Sequence, residues 1–353
     1  MQLFSTQYVL GLLLVVCLLV LLQLWATRLF RHRWTRPSRT RASAVNLALC
    51  FLTVAWFLLF LELVFAFFHV ESDFYGFTLA ARKWHRKYWK PINSLGFRDV
   101  EHDPKVLQEK RVVFVVGDSL AAGYGIDDFQ DRFPNRLGEM LGEEWEVVIL
   151  TLSGWDSEQE YRALENYSRV AIPETIVLSY YINDNIHAFE DLGYEEPQAV
   201  VRPQGLRKKV IEASHLFNFV CWRTYRLVHR DVGDKYWAYI REVSADPQVW
   251  DIHRRQLCKF IEFAERCHAR LVVVVFPHLA GVEWSRSLTQ PVVDLFQSEG
   301  VEVLDLTPVF EGRDPKELVV SSIDPHPNER VHEEVAALLF EALMGDSPAA
   351  DGS

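Results

Sequence analysis

The sequence predicts an α/β chain: a three-layer domain on a parallel sheet, preceded by two membrane-spanning helices. Three observations carry that expectation. Apolar β-type runs recur at 112–116, 146–152, 175–181, 271–276 and 301–304. Their continuous Val, Ile and Leu content suits strands covered on both faces. Stretches of helical period alternate with them, at 134–142, 157–170, 249–269, 287–299 and 328–344, and this alternation is the mark of parallel α/β folds. The first 70 residues, finally, are almost wholly apolar and cannot belong to a water-soluble layer.

Taken in order, residues 1–70 form a membrane anchor. Tyr8 to Ala26 and Ala44 to Phe68 are apolar runs, broken by Gln23 in the first and by Asn46 and Glu62 in the second. Each is long enough to span a bilayer, at about 20 residues per crossing. Arg28, Arg31, Arg33, Arg36, Arg39 and Arg41 lie between them with no acidic residue. Such a loop marks the cytoplasmic side, so the rest of the chain is expected on the outer side. No positive charge precedes Gln7, which favours a spanning helix over a cleaved leader. Glu62 lies near the outer end of its helix and is expected to reach the interface.

Residues 71–110 connect anchor and sheet. Trp84, His85, Arg86, Lys87, Tyr88, Trp89 and Lys90 suit a headgroup layer, and Arg98 is read as structural. Residues 111–345 form the α/β domain, and five parallel strands with flanking helices read as a flavodoxin-like sheet. An interruption at about 185–248 is too long for an ordinary connection. It holds a basic patch (Arg202, Arg207, Lys208, Lys209) and an aromatic cluster that includes Trp222, Tyr236 and Trp237. We expect a partly helical insertion over the cleft there, and a disordered tail over 346–353.

The chemistry sits where strands end. The run 112–116 stops in Gly117-Asp118-Ser119, which puts a hydroxyl at the sheet edge where α/β proteins build sites. Ser153-Gly154 follows the second strand, and Asn183-Asp184 the third. A glycine N–H and an asparagine amide there can hold a tetrahedral oxyanion. Asp324-Pro325-His326-Pro327 precedes the last helix. Two residues apart on a proline-stiffened segment, Asp324 can fix one tautomer of His326 while its other nitrogen faces Ser119. His278, Asp305 and His332 are secondary candidates, expected respectively as a structural or substrate contact, a turn residue and a partly exposed helix residue.

These blocks, in this order, resemble the SGNH (GDSL-type) hydrolase family from about residue 91 to 345. The resemblance implies a catalytic triad of Ser119, Asp324 and His326, and an oxyanion hole of Ser119, Gly154 and Asn183. It implies a structural role for Asp118. One departure is that Tyr181 stands where the family's third block carries glycine, which leaves the shape of the oxyanion hole open.

Composition narrows the classes. The chain has 37 Lys+Arg against 48 Asp+Glu, and the anchor takes six of the former and one of the latter. The remainder is therefore more acidic than the overall −11 and repels nucleic acid. Five cysteines at no metal-like spacing argue against a disulfide framework and a zinc site. The expected function is a membrane-anchored, extracytoplasmic serine esterase acting on O-acyl groups of a glycan or lipid, with no cofactor or metal. The alternatives are an acyltransferase using the same triad, and a non-catalytic glycan-binding or assembly subunit.

Overall fold

A computed structural model of the chain describes residues 6–33, 39–195, 200 and 202–345. The middle of the arginine loop (34–38), residues 196–199 and the tail expected to be disordered (346–353) lie outside the described residues. Two long helices come first, α1 (Thr6–Arg33) and α2 (Arg39–Phe67), then α3 (Leu79–Tyr88) and α4 (Pro104–Glu109). The alternating part begins with β1 (Arg111–Gly117), α5 (Phe133–Leu141), β2 (Trp145–Thr151), α6 (Ser157–Tyr167) and β3 (Thr175–Tyr180). Four helices follow without a strand: α7 (Ile186–Asp191), α8 (Gly205–Ile211), α9 (His215–Val228) and α10 (Val232–Ser244). Alternation resumes with α11 (Pro247–Cys267), β4 (Arg270–Val275), α12 (Val282–Ser298), β5 (Glu302–Asp305) and α13 (Thr307–Phe310). A hairpin of β6 (Val319–Ser321) and β7 (Asp324–Pro327) precedes the last helix, α14 (Glu329–Gly345).

These elements form two compact units, one of α1, α2, Phe77–Ala80, α8 and α9, the other of the sheet and its helices. In the sheet unit the five strands run parallel in the order β2-β1-β3-β4-β5. Alternate residues of β1 bury on opposite faces, and each face meets its own helices. Val112, Phe114 and Val116 pack with Leu164 of α6, Phe260 of α11 and Phe296 of α12. Val113 and Val115 pack with Phe133 and Leu137 of α5 and with Val331, Val335 and Leu339 of α14. Full burial of such side chains stabilises by about 1.5–3 kcal/mol each. The order matters for the site: the chain leaves β1 for β2 on one side and returns to β3 on the other. The crevice at the carboxyl ends of β1 and β3 is therefore the topological switch point where such sheets bind ligands.

Several expectations about the connections are corrected. The insertion is helical but divides: α8 and α9 belong with the long N-terminal helices, while α7 and α10 stay with the sheet. Trp84 and Trp89, expected at a headgroup layer, are buried within the sheet unit. The Trp84 indole N–H donates to Asp127 at 2.7 Å, and both rings pack on Tyr124. Burial removes more apolar area than an interface would, and the carboxylate satisfies the one polar atom. Arg98 is structural and fully buried. Among the described residues its guanidinium donates to the carbonyls of Tyr88, Ala122, Gly123 and Ile126 rather than to a carboxylate. Burial lowers its pKa to about 10, which leaves it charged at neutral pH and able to clamp the loop after Ser119.

In the other unit, Thr6–Arg28 and Ser43–Phe67 are long and apolar enough to cross a membrane. Leu19, Ala26, Leu52 and Leu59 pack between the two helices. Glu62 has a partner that its position in the sequence did not suggest. Its carboxylate accepts from the backbone N–H groups of His215 and Leu216 at 2.8 and 2.9 Å, and from the hydroxyls of Ser214 and Tyr8 at 2.6 and 2.7 Å. It thus satisfies N–H groups that the first turn of α9 cannot bond internally, rather than reaching for water. Glu62→Ala should cost about 1–3 kcal/mol, the worth of hydrogen bonds to a charged group. A lower melting temperature of the detergent-solubilised protein checks this; an unchanged one would show the cap to be dispensable.

Candidate active site

The site grows from the end of β1. Gly117 passes so close to β3 that a Cβ there would sit 2.9 Å from that of Ser179. The chain then turns, and Asp118 holds the turn: its carboxylate accepts from the Leu120 N–H at 2.9 Å, and its Oδ2 lies 3.2 Å from Ser119 Oγ. Ser119 is nearly buried, and its Oγ lies 3.0 Å from Nε2 of His326. On the far side of the ring, Nδ1 of His326 is 2.5 Å from Asp324 Oδ1. The fully buried Asp324 also accepts from the His326 backbone N–H at 3.2 Å. Serine, histidine and aspartate therefore form one continuous relay.

The hairpin that carries the acid and base escaped the sequence reading, because Pro325 and Pro327 argue against a strand. A two-stranded ribbon has open edges on which prolines cost no ladder bond. Asp324 sits opposite Ser321, whose hydroxyl accepts from the N–H groups of Ile323 and Asp324 at 3.2 Å. Gly125 lets the hairpin approach: at φ +90° it has a backbone that L side chains rarely adopt, and a Cβ would lie 2.6 Å from Val320 and 3.0 Å from Asp324. Asn328 then caps α14 through the Val331 N–H.

Asn183 is brought beside the serine, as a lining residue of the same cleft. One amide hydrogen of Asn183 goes to Asp118 at 3.3 Å; an amide has two, so the other is free for an oxyanion. Gly154 is placed differently. It occupies an exposed left-handed turn (φ +81°) after β2, the neighbour of β1, and is not among the residues lining the cleft. Tyr181, at the departure from the family's glycine, points its hydroxyl at His278 Nδ1, 2.6 Å away. His278 packs at a tilt against both Trp237 and Trp284, and Trp237, Tyr236 and Leu279 line the cleft beside it. The cleft encloses about 110 Å³.

Electrostatics fit a base at His326 and bystanders elsewhere. Burial opposes protonation of His326, but the charge and hydrogen bond of Asp324, with Asp118 behind, outweigh it and hold its pKa above the ordinary value. His278 is pushed down to about 3 by burial first and by His326 second. It is neutral and free to accept the Tyr181 proton. His332, expected to be partly exposed, is instead fully buried and accepts from the Phe133 N–H at 3.1 Å. Burial takes its pKa to about 3 as well. Asp305 holds a turn by accepting from the Thr307 N–H.

Two carboxyls near Asn183 had no signal in the sequence. Glu160 on α6 and Asp184 are both fully buried, and Asp184 accepts from the Tyr181 N–H at 2.8 Å. Burial, then their repulsion of each other and of Asp118, pushes both toward the protonated form.

No family model and no curated protein matches the chain. Solved structures similar to it include the psychrotrophic esterase EstA from Pseudoalteromonas sp., at 11% identity and a TM-score of 0.41 over 67% of this chain and 98% of that one. A lipolytic protein of the G-D-S-L family from Veillonella parvula is similar at 13% identity and a TM-score of 0.40, over 67% of this chain and 100% of that one. The acetyl xylan esterase AlAXEase is similar at 13% identity and a TM-score of 0.42, over 66% and 100%. The ordered serine, asparagine and histidine blocks that resemble the SGNH (GDSL-type) pattern meet in one cleft, with a relay from Ser119 through His326 to Asp324.

Proposed function

We propose that this chain is a membrane-anchored serine ester hydrolase whose catalytic unit faces the outer side of the membrane and removes O-acyl groups from a glycan or lipid. The relay carries the reading: Nε2 of His326 within 3.0 Å of Ser119 Oγ, and Nδ1 held by a buried carboxylate. His326 takes the hydroxyl proton as Oγ attacks the ester carbonyl. The backbone N–H of Ser119 and the second amide hydrogen of Asn183 support the oxyanion, with Gly154, in the turn after β2, as the third donor that the family resemblance implies. His326 then protonates the leaving alcohol, and water releases the acid from the acyl-enzyme. Asp118 orients the serine and the asparagine without taking a proton.

The outer placement is supported by the arginines between the two apolar helices. Protease accessibility of a tag after residue 345 in sealed vesicles tests it. The glycan or lipid carrier is supported by the anchor, which keeps the site near a surface that bears such molecules.

Purified full-length protein given a fluorophosphonate and an O-acetylated glycan tests the reaction. One adduct on Ser119 and free acetate are expected. An acylated acceptor in place of free acid would make the same site a transferase. A folded protein with neither adduct nor turnover would leave a binding subunit. Asn183→Ala should lower kcat by about 100- to 1,000-fold, the usual cost of one oxyanion donor, with an unchanged melting temperature; a kcat within a few-fold of wild type would remove Asn183 from the hole.

A further inference from the structure

The cleft that holds Ser119 and His326 is walled on one side by aromatic side chains fixed to one another. Tyr181 is braced by its 2.6 Å hydrogen bond to His278. His278 is itself held: its backbone N–H donates to Ser285 at 3.0 Å, and its ring lies 4.6 Å from that of Trp237 and 5.0 Å from that of Trp284. Trp237 also packs edge-on against Tyr236 at 4.9 Å and Tyr181 at 6.2 Å. This cluster is rigid for a physical reason. Each ring is flanked by others, and the Tyr181 hydroxyl and His278 Nδ1 satisfy each other, which restricts rotamer changes in the wall.

The room left in front of the wall is small. About 110 Å³ is less than the roughly 150 Å³ of a cavity that takes up one benzene ring, which is room for a short acyl group. The carbonyl carbon must lie against Ser119 Oγ and its oxygen toward Asn183. Tyr181, Trp237 and Leu279 line the same cleft as Ser119 and Asn183, so they bound the room beside the reacting carbonyl.

We propose that this aromatic wall, with Trp237 and Tyr181 as its specificity-determining residues, restricts the acyl group to two or three carbons, so that the substrate is an O-acetyl ester rather than a fatty acyl ester. The inference rests on the hydrolase reading above and deepens it: the anchor holds the enzyme beside a membrane, yet the site does not accept a lipid's acyl chain. Tyr181 takes on a purpose through this, since the glycine of the family's pattern would leave the wall open where the tyrosine closes it.

The test is a chain-length series on full-length protein in detergent, using p-nitrophenyl acetate, butyrate and hexanoate. Wild type should lose at least 100-fold in kcat/KM from acetate to hexanoate. Trp237→Ala should shrink that ratio at least tenfold by raising turnover of hexanoate, and Trp237→Leu, which keeps an apolar filling, should fall between. Hexanoate turned over by wild type as well as acetate would overturn the inference and leave the hydrolase reading standing. So would variants that cleave acetate but keep the wild-type ratio. Failure of wild type on every ester would instead sink the hydrolase reading, and this inference with it.

Discussion

Ser119→Ala is expected to lower ester turnover by on the order of a million-fold, the loss seen when a serine nucleophile is removed from a working triad. The size of the effect follows from the geometry. Ser119 Oγ stands 3.0 Å from the base and 3.2 Å from Asp118, and the cleft shows no second hydroxyl so placed among its lining residues. The substitution removes one oxygen from a nearly buried position, so the fold should survive and circular dichroism should match wild type. The rate on p-nitrophenyl acetate and the intact mass after fluorophosphonate treatment read the outcome together. Turnover near the wild-type rate, or an adduct that persists on the variant, would end the acyl-enzyme scheme.

Asp324→Asn should have the next largest effect, about 10,000-fold in kcat, with a distinct pH signature. His326 must be neutral to take the serine proton, so the rate rises as pH rises through its pKa. The Asp324 charge and hydrogen bond, with Asp118, raise that pKa above the ordinary histidine value against the opposing effect of burial. The acid limb of kcat/KM in wild type therefore lies above about 6.5, the unperturbed value. With asparagine at 324 the main raising influence is gone while burial still acts, so the limb should shift to lower pH as the plateau falls. An asparagine amide also presents N–H groups where Nδ1 needs an acceptor, which favours the wrong tautomer. A pH–rate profile of the variant checks both parts. A limb that stays in place would show that Asp324 does not set the charge of His326, whatever the loss in rate.

Much of the frame was legible because strands buried on both faces must be apolar along their whole length. The runs at 112–116 and 271–276 lie within β1 and within a residue of β4, and the helical periods at 134–142 and 328–344 fall within a residue of α5 and α14 at each end. Ser119, Asn183, Asp324 and His326 could be named from the sequence since each follows an element whose end is marked by glycine, proline or a polar break. The hairpin β6–β7 was not legible, because its stability comes from Ser321, Gly125 and the Phe74 N–H bonded to the Ile323 carbonyl. Gly125 and Phe74 are distant from the hairpin in the chain. Trp84 was misread on the same ground: an aromatic residue among lysines and arginines has one composition whether it meets lipid headgroups or Asp127.

The sequence by itself determined the alternating sheet and the two apolar spans, and it singled out Ser119, His326 and Asp324 as the proposed nucleophile, base and acid, because periodicity and strand-end chemistry are local. Only the tertiary structure decided the rest. It turned Glu62 from a polar break in an apolar helix into the cap of α9, and brought Tyr181, His278, Trp237 and Trp284 together as a wall. It also placed Glu160 beside Asp184 and left Gly154 outside the cleft lining. Each of these depends on which side chains meet across the fold, a property of packing that no window of neighbouring residues contains.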